Sequence, residues 1–435
     1  MLIMKAKPAR SVRGILKMPG DKSVSHRAGL MAAIAEGETK IANFSAAEDC
    51  ATTLKCLAEL GVVVRRDNSG VYIRGIGLKG LRAPSVEIDC GNSGTTMRLI
   101  TGILAGQSFD SVLTGDESLV KRPMRRIIEP LQLMGANIES DAGRAPLRIK
   151  AVPHLTGTEQ TLQVASAQVK SCLLLAGLYA EGTTTIIEPI PTRDHTERMM
   201  RWLGVDVSET TVANGKAISV NGGAKLRAAD IEVPGDISSA AFFMVAAICL
   251  SDSELVIEGV GLNPTRTAII DVLRNLGADI ETSAERTISG EPVGTITVRS
   301  GVRPPDGVDR SVISGKTIAN LIDEIPVLAI LGTQLPGGLE VRDARELRVK
   351  ETDRIAAVTE DLRRMGARLT EYDDGFYVER SRLDGAVVDS FGDHRIAMAF
   401  AVAGLLARGE TEIIGADCAN ISFPGFYETL STVVS

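Results

Sequence analysis

The sequence predicts an α/β chain assembled from six related units, three in each half. Three observations lead there. Polar residues able to cap a helix stand in front of long apolar stretches at six places, near positions 21, 92, 166, 236, 323 and 393. The intervals are about 70 residues, apart from one of 87. Helical-looking stretches end five times in an apolar residue, a glycine and a small or β-branched residue. Finally, Pro-Gly-Asp-x-Ser occurs at Pro19–Ser23 and again at Pro234–Ser238, 215 residues or about half a chain apart. Self-similarity at a fixed period marks a repeat architecture.

The apolar stretches come in order along the chain. They are His26–Ala35 after G-D-K-S, Thr95–Ala105 after G-N-S-G, and Val169–Ala180 after A-S-A-Q. Then follow Ser239–Leu250 after G-D-I-S, Pro326–Leu331 after I-D-E-I, and Ile396–Ala407 after G-D-H-R. A helix that is apolar all round is a buried one, so each unit supplies a buried helix whose N-terminus opens at a polar loop. Between them lie L-A-E-L-G-V, L-Q-L-M-G-A, M-R-W-L-G-V, L-R-N-L-G-A and L-R-R-M-G-A, with glycines at 61, 135, 204, 277 and 366. Short alternating segments follow, such as Val62–Val64, Asn137–Glu139 and Asp279–Glu281. A glycine just past a helix end, then a strand, accounts for that pattern.

Composition narrows the function. The 435 residues are 44% apolar and 24% charged, which fits a globular chain of two or three domains. Aromatics make up 3%, so the core rests on Ala, Val, Leu and Ile. With 48 Lys and Arg against 55 Asp and Glu the net charge is −7, and there is no long basic run, which argues against nucleic acid as a partner. A few local cations can still make a positive pocket on an acidic protein. The longest apolar runs, Ala240–Leu250 and Ile396–Ala407, fall short of the roughly 18 residues of a membrane span. The start M-L-I-M-K-A-K-P has no signal-peptide core. Six cysteines lie scattered without C-x-x-C spacing, and four histidines offer no paired metal spacing. Reduced thiols in a cytoplasmic protein, with no metal or other cofactor, are expected.

Several charged clusters sit at the predicted helix starts, where free N–H groups and the helix dipole favour anions. Gly20–Arg27 brings Lys22, Ser23, His26 and Arg27 together, either as an anion site or as capping plus surface charge. Gly91–Thr96 opens a helix with Asn92 and Gly94, small enough for a ligand to approach the backbone, or is an ordinary capped turn. Lys121–Arg126 holds four cations in six residues. Arg193–Arg198 is mixed in sign. Either could be a solvated helix start. In Glu346–Arg354, Lys350 and Arg354 are four apart and would share a helix face, with Glu351 about 100° round. Asp323 and Glu324 interrupt an apolar stretch, which calls for either N-capping or a catalytic base. Asp393, His394 and Arg395 precede twelve apolar residues in the same way. No nucleophile elbow, Walker loop or dinucleotide fingerprint is visible. Lysines and arginines converging with two or three carboxylates fit displacement or addition chemistry on phosphorylated, carboxylated small molecules.

Eight motifs in order carry a resemblance: P-G-D-K-S-V-S-H-R, G-N-S-G-T, R-P-M, S-A-Q-V-K-S, R-D-H-T-E-R, D-E-I-P, R-V-K-E-T-D-R and D-H-R-I-A-M-A. Together they resemble the EPSP synthase family of enolpyruvyl transferases, from Pro19 to Pro424. The resemblance implies an inside-out α/β barrel fold: two domains, each of three βαβαββ repeats with buried helices, closing over the substrates. It places residues 1–20 and 231–435 in one domain and 21–230 in the other, with the active site in the cleft between them. It implies transfer of the enolpyruvyl group of phosphoenolpyruvate to the 5-hydroxyl of shikimate 3-phosphate, with release of phosphate, by a cytoplasmic monomer of the aromatic amino acid pathway.

By the same resemblance, Lys22, Ser23, Arg27, Ser166, Ala167, Gln168, Arg193, Asp323 and Lys350 hold shikimate 3-phosphate. Lys22, Asn92, Gly94, Arg122, Gln168, Glu351, Arg354, His394 and Arg395 hold phosphoenolpyruvate. Asp323 is the expected base, Glu351 the acid, and Lys22 a further catalytic cation. Two points concern the family pattern. Many members carry a lysine just before the Phe-Pro near the C-terminus, whereas here Ala419–Pro424 has none and no lysine follows Lys350. Position 94 is glycine, which in the family goes with sensitivity to the inhibitor glyphosate. A sister enzyme acting on UDP-N-acetylglucosamine uses a loop cysteine, and the region of Lys121-Arg122-Pro123 contains none. A non-catalytic anion-binding repeat protein is the other alternative, opposed by the presence of Lys22, Asp323 and Glu351.

Overall fold

The computed structural model describes residues 2–303 and 310–435. The chain divides into two compact units. Unit A is Gly20–Pro234 with Thr287–Glu291; unit B is the chain up to Pro19, Gly235–Arg286 and the chain from Pro292 onward.

Unit A holds three four-stranded sheets of one design. In each, a first strand pairs parallel with a second, which pairs antiparallel with the last strand of a hairpin. The first strands are Ile231–Glu232, Ile88–Asp89 and Glu159–Thr161; the second are Glu36–Ala42, Ser111–Thr114 and Thr183–Glu188. The hairpins are Val63–Asp67 with Gly70–Ile76, Asn137–Asp141 with Arg144–Lys150, and Val207–Val212 with Gly215–Asn221. Parallel neighbours need a long crossover. In the second and third sheets it contains a buried helix, α2 (Gly94–Leu104) and α3 (Ala167–Gly177), and the matching helix α1 (Lys22–Ile34) leads into the second strand of the first sheet. A second, more amphipathic helix leads into each hairpin: Glu48–Glu59, Arg125–Leu133 and His195–Trp202. The first repeat takes its opening strand, Ile231–Glu232, from the far end of the unit.

Unit B repeats the design around α4 (Ile237–Cys249), α5 (Ile325–Gly332) and α6 (His394–Leu406). Two of its sheets are four-stranded, in the orders 278–288, 291–302, 254–261, 13–17 and 311–313, 339–341, 375–378, 369–372. The third is Val387–Asp389, Thr411–Ile414 and Ile3–Ala6. Its last helix, Phe426–Val433, is close to the end of the chain, and the N-terminal strand stands where the other repeats place a hairpin. That missing hairpin is why the glycine-ended pattern occurs five times and not six. Both units are inside-out α/β barrels, with the helices at the core.

The six polar starts are the six buried helix N-termini. Asp21, Ser93, Ser166, Asp236 and Asp393 each accept a hydrogen bond from a first-turn N–H, satisfying one of the orphan donors there. Glycines 61, 135, 204, 277 and 366 adopt φ of 82–92° just after their helices, a conformation glycine takes without steric cost. The stretch Val169–Ala180 is shorter as a helix than its apolar run: α3 ends at Gly177, and Ala180–Glu181 turns into a strand beside Leu155–Thr156. Close packing of α2 on α3 rests on Gly102, where a Cβ would lie 2.2 Å from the Cys172 carbonyl oxygen.

Candidate active site

In unit A the predicted residues gather at the starts of α1, α2 and α3. Asp21 caps α1 through the Val24 N–H at 2.9 Å. Lys22, one residue on, donates to Asp49 Oδ2 at 3.0 Å. Ser23 is half-buried on the first turn, and its carbonyl accepts from Arg27 Nη1 at 2.9 Å. Arg27 is buried. Its Nε donates to Thr196 Oγ1 at 2.7 Å and its Nη2 to Ser171 Oγ at 2.8 Å. Among the described residues, no carboxylate lies within ion-pair distance of Arg27. Hydroxyls and a carbonyl orient the guanidinium without cancelling its charge, which suits it to a ligand anion. Burial pushes Arg27 down to about 10, Glu197 opposes this, and the like charge of Arg193 adds to it. Burial, with Lys22 and Arg27 adding to it, also holds His26 well below the usual histidine range. Its Nδ1 lies 2.7 Å from Thr53 Oγ1, so His26 is a neutral core residue.

Asn92, Gly94 and Arg122 come together at α2. Arg122 Nη2 donates to Asn92 Oδ1 at 2.8 Å, and Asn92 Nδ2 to Asp116 Oδ2 at 2.7 Å. A Cβ on Gly94 would lie 2.9 Å from Arg98 Nη1 and 3.4 Å from Arg122 Nη1. Ser93, not Asn92, is the cap of α2. Ser166 caps α3 through Val169 N–H, Ala167 is the first residue of that helix, and Gln168 links two helix starts. Its Oε1 accepts from Arg98 Nη1 at 2.7 Å and its Nε2 donates to Thr95 Oγ1 at 2.9 Å. Arg193 lies half-buried just before the helix His195–Trp202. Deeper in α3, the Lys170 ammonium is buried between Glu188 at 2.9 Å and Glu197 at 2.6 Å.

Unit B places the carboxylates. The start of α5 has no side-chain cap. The Asp323 carboxylate instead stands 3.4 Å from both Arg354 Nη1 and Arg395 Nε. Arg395 Nη1 also donates to the Asp323 carbonyl at 3.0 Å. Arg354 is buried, and its Nη2 meets Glu351 Oε2 at 2.7 Å and its Nε Asp393 Oδ2 at 2.7 Å. Burial alone would lower Arg354, but Asp393, Glu351 and Asp323 together raise it. Asp393 caps α6 through the Arg395 N–H, and His394 is buried on the first turn of that helix.

Lys350 corrects one expectation. It does not share a helix face with Arg354, because Asp353 caps a helix that begins only at Arg354, and Lys350 closes a short 3-10 turn in extended backbone. Although a quarter of its side chain stays open to solvent, burial of the ammonium lowers Lys350, with Asp323 and Glu346 offsetting part of the effect. The lysine-free segment before Phe423 is the 3-10 turn Ala416–Ile421.

Sequence reasoning missed five supports of these groups: Asp49 beside Lys22, Ser171 and Thr196 on Arg27, Arg98 beside Gly94, and Asp393 on Arg354. Arg98 was within reach, since it stands one helical turn after Gly94. The others come from separate elements. Among the described residues no group of three or more His, Cys, Asp or Glu could hold a metal ion, and no helix is long and apolar enough to cross a membrane.

A family model for EPSP synthase (3-phosphoshikimate 1-carboxyvinyltransferase) matches residues 6–430. The 3-phosphoshikimate 1-carboxyvinyltransferase of Salinibacter ruber is 52% identical over 430 residues, covering 98% of each chain. That of Koribacter versatilis is 50% identical over 436 residues, covering both chains in full. Among solved structures, EPSP synthase of Acinetobacter baumannii superposes with a TM-score of 0.85 at 43% identity, over 99% of this chain and 98% of the other. With these matches running nearly end to end, the chain belongs to the EPSP synthase (3-phosphoshikimate 1-carboxyvinyltransferase) family.

Proposed function

We propose that the protein transfers the enolpyruvyl group of phosphoenolpyruvate to the 5-hydroxyl of shikimate 3-phosphate, giving 5-enolpyruvylshikimate 3-phosphate and phosphate. The observation that carries this reading, beside family membership, is the Asp323 carboxylate set between Arg354 and Arg395, with Glu351 on the same arginine. A base and an acid stand there among the cations that two phosphates and two carboxylates require.

Unit A supplies the acceptor's site in this reading. Arg27, Ser23, Ser166, Ala167, Gln168, Arg193, Lys350 and Asp323 are the residues read as taking shikimate 3-phosphate. Lys22, Asn92, Gly94, Gln168 and Arg122 take phosphoenolpyruvate, joined by Glu351, Arg354, His394 and Arg395. Asp323 accepts the proton of the 5-hydroxyl as its oxygen bonds to C2 of phosphoenolpyruvate. Glu351 donates a proton to C3, making a methyl group. The tetrahedral intermediate loses phosphate through C2–O cleavage while a methyl proton returns to a carboxylate, restoring the double bond. In the free protein Glu351 Oε2 accepts from Arg354 Nη2 at 2.7 Å. Such acid–base help is typically worth about 10²–10⁴-fold, and preorganised cations supply much of the remainder.

We further read the chain as a glyphosate-sensitive cytoplasmic monomer. All six cysteines are unpaired and four are buried, which suits a reducing compartment. Gly94 leaves the Arg98 and Arg122 guanidiniums room. The test is phosphate release in EDTA with each substrate omitted in turn. Release that requires both supports the proposal; release with UDP-N-acetylglucosamine as acceptor instead overturns it.

A further inference from the structure

We infer that Glu324 is a positioning residue for Asp323, acting through Ser238 and Arg266. The inference rests on the reading of Asp323 as the base. The two adjacent carboxylates serve different partners. Asp323 faces Arg354 and Arg395. Glu324 is 2% exposed, and its Oε1 accepts the hydroxyl proton of Ser238. Ser238 lies on the first turn of α4, and its Oγ in turn accepts from Arg266 Nη2 at 2.8 Å. Arg266 is also buried and reaches Asp236, the cap of α4, at 3.3 Å.

The arrangement clamps one peptide from both ends. Arg395 holds the Asp323 carbonyl at 3.0 Å. Glu324, across the same peptide bond, ties the start of α5 to the start of α4. Its own carbonyl accepts from the Leu328 N–H at 3.0 Å as the first bond of α5. With no side-chain cap on α5, this anchor takes over the task of fixing the turn that carries Asp323. A buried carboxylate is costly unless it is hydrogen-bonded or compensated, and a helix start can be capped more cheaply by Ser or Asp. Setting a base to within a fraction of an ångström is a reason to keep it. The duplicated Pro-Gly-Asp-x-Ser takes on different duties in the two units. In unit A it presents Lys22 and Ser23, whereas in unit B its serine receives a carboxylate of the protein itself.

The test compares Ser238→Ala, Ser238→Thr, Glu324→Gln and, as a control, Asp323→Asn. Steady-state phosphate release, thermal unfolding and calorimetric binding of shikimate 3-phosphate are measured on each. Ser238→Ala and Glu324→Gln should lower kcat about 10- to 100-fold, the scale of a misplacement of roughly 1 Å. KM for both substrates and shikimate 3-phosphate affinity should stay within about threefold, because the cations that bind them are untouched. Ser238→Thr, which keeps the hydroxyl, should restore most of kcat. Wild-type kcat in folded Ser238→Ala and Glu324→Gln, or a loss that Ser238→Thr fails to relieve, overturns the inference while Asp323→Asn remains inactive. Should Ser238→Ala fail to fold, Glu324→Gln decides alone. Wild-type turnover in Asp323→Asn instead overturns the reading of Asp323 as base.

Discussion

Lys22 and Gly94 show how single residues at helix starts carry the proposed chemistry. Lys22 is held by Asp49 alongside the first turn of α1. Lys22→Ala should cut turnover by about 10²–10³-fold, as removal of a preorganised charge does. Stability should change by no more than about 1 kcal/mol, since the pair is partly exposed. Normal kcat/KM in the purified variant would contradict the role. At Gly94 the atoms nearest an added Cβ are the far ends of the flexible Arg98 and Arg122 side chains. Gly94→Ala should therefore fold, helped by the better helix propensity of alanine, about 1 kcal/mol. The displaced guanidiniums should raise KM for phosphoenolpyruvate about 10-fold, the effect of roughly 1.4 kcal/mol of lost binding, and raise the glyphosate concentration for half-inhibition more than that. Unchanged glyphosate inhibition would contradict the geometry. At this scale the sequence shows which residues stand at helix starts, because cap chemistry is local. It does not show their partners. Asp49, Thr196 and Asp393 reach Lys22, Arg27 and Arg354 from other elements, over separations of 27, 169 and 39 residues.

Elements show a different balance between sequence and tertiary context. The six buried helices and the five glycine stops were legible, since both depend on periodic apolar runs and on backbone conformations that few residues tolerate. The face shared by Lys350 and Arg354 was misread because charge spacing alone does not say where a helix begins, and Asp353 sets that start. The helix Arg354–Arg364 is also tied to its neighbouring strand by a titrating group. Asp361 is buried and accepts the Asp389 N–H on both oxygens at 3.2 Å. Burial pushes its carboxyl up to about 7, despite the Asp389 N–H and the partly exposed Arg364 beside it. The folded state thus holds a proton that the unfolded chain, with an ordinary carboxyl, has given up. Stability from this group is present below about pH 4 and is lost as pH rises towards 7, by up to on the order of 4 kcal/mol. Urea unfolding of wild type and Asp361→Asn at pH 5, 6 and 8 checks this. Wild type should weaken relative to the variant as pH rises, and a constant difference would contradict the account.

On the scale of the whole molecule, one α/β plan is used six times, and the departures from it are informative. The sixth repeat borrows the N-terminal strand in place of a hairpin. The first takes its opening strand from the far end of unit A. Neither exchange was legible as a pairing, because strand partners distant in sequence leave no local pattern. A chain of net charge −7 concentrates cations at its helix starts, where local field outweighs overall charge for small anions. In unit A, Arg27 meets hydroxyls and a carbonyl, Arg122 meets the Asn92 amide and Lys22 meets Asp49; in unit B, Arg354 and Arg395 meet the carboxylates proposed for proton transfer. The most direct test of that division of labour is phosphate release by the purified chain with shikimate 3-phosphate and phosphoenolpyruvate, alongside Asp323→Asn. The account predicts release only when both substrates are present, and a loss of about 10²-fold or more in the variant. Release from phosphoenolpyruvate alone, or undiminished release by Asp323→Asn, would contradict it.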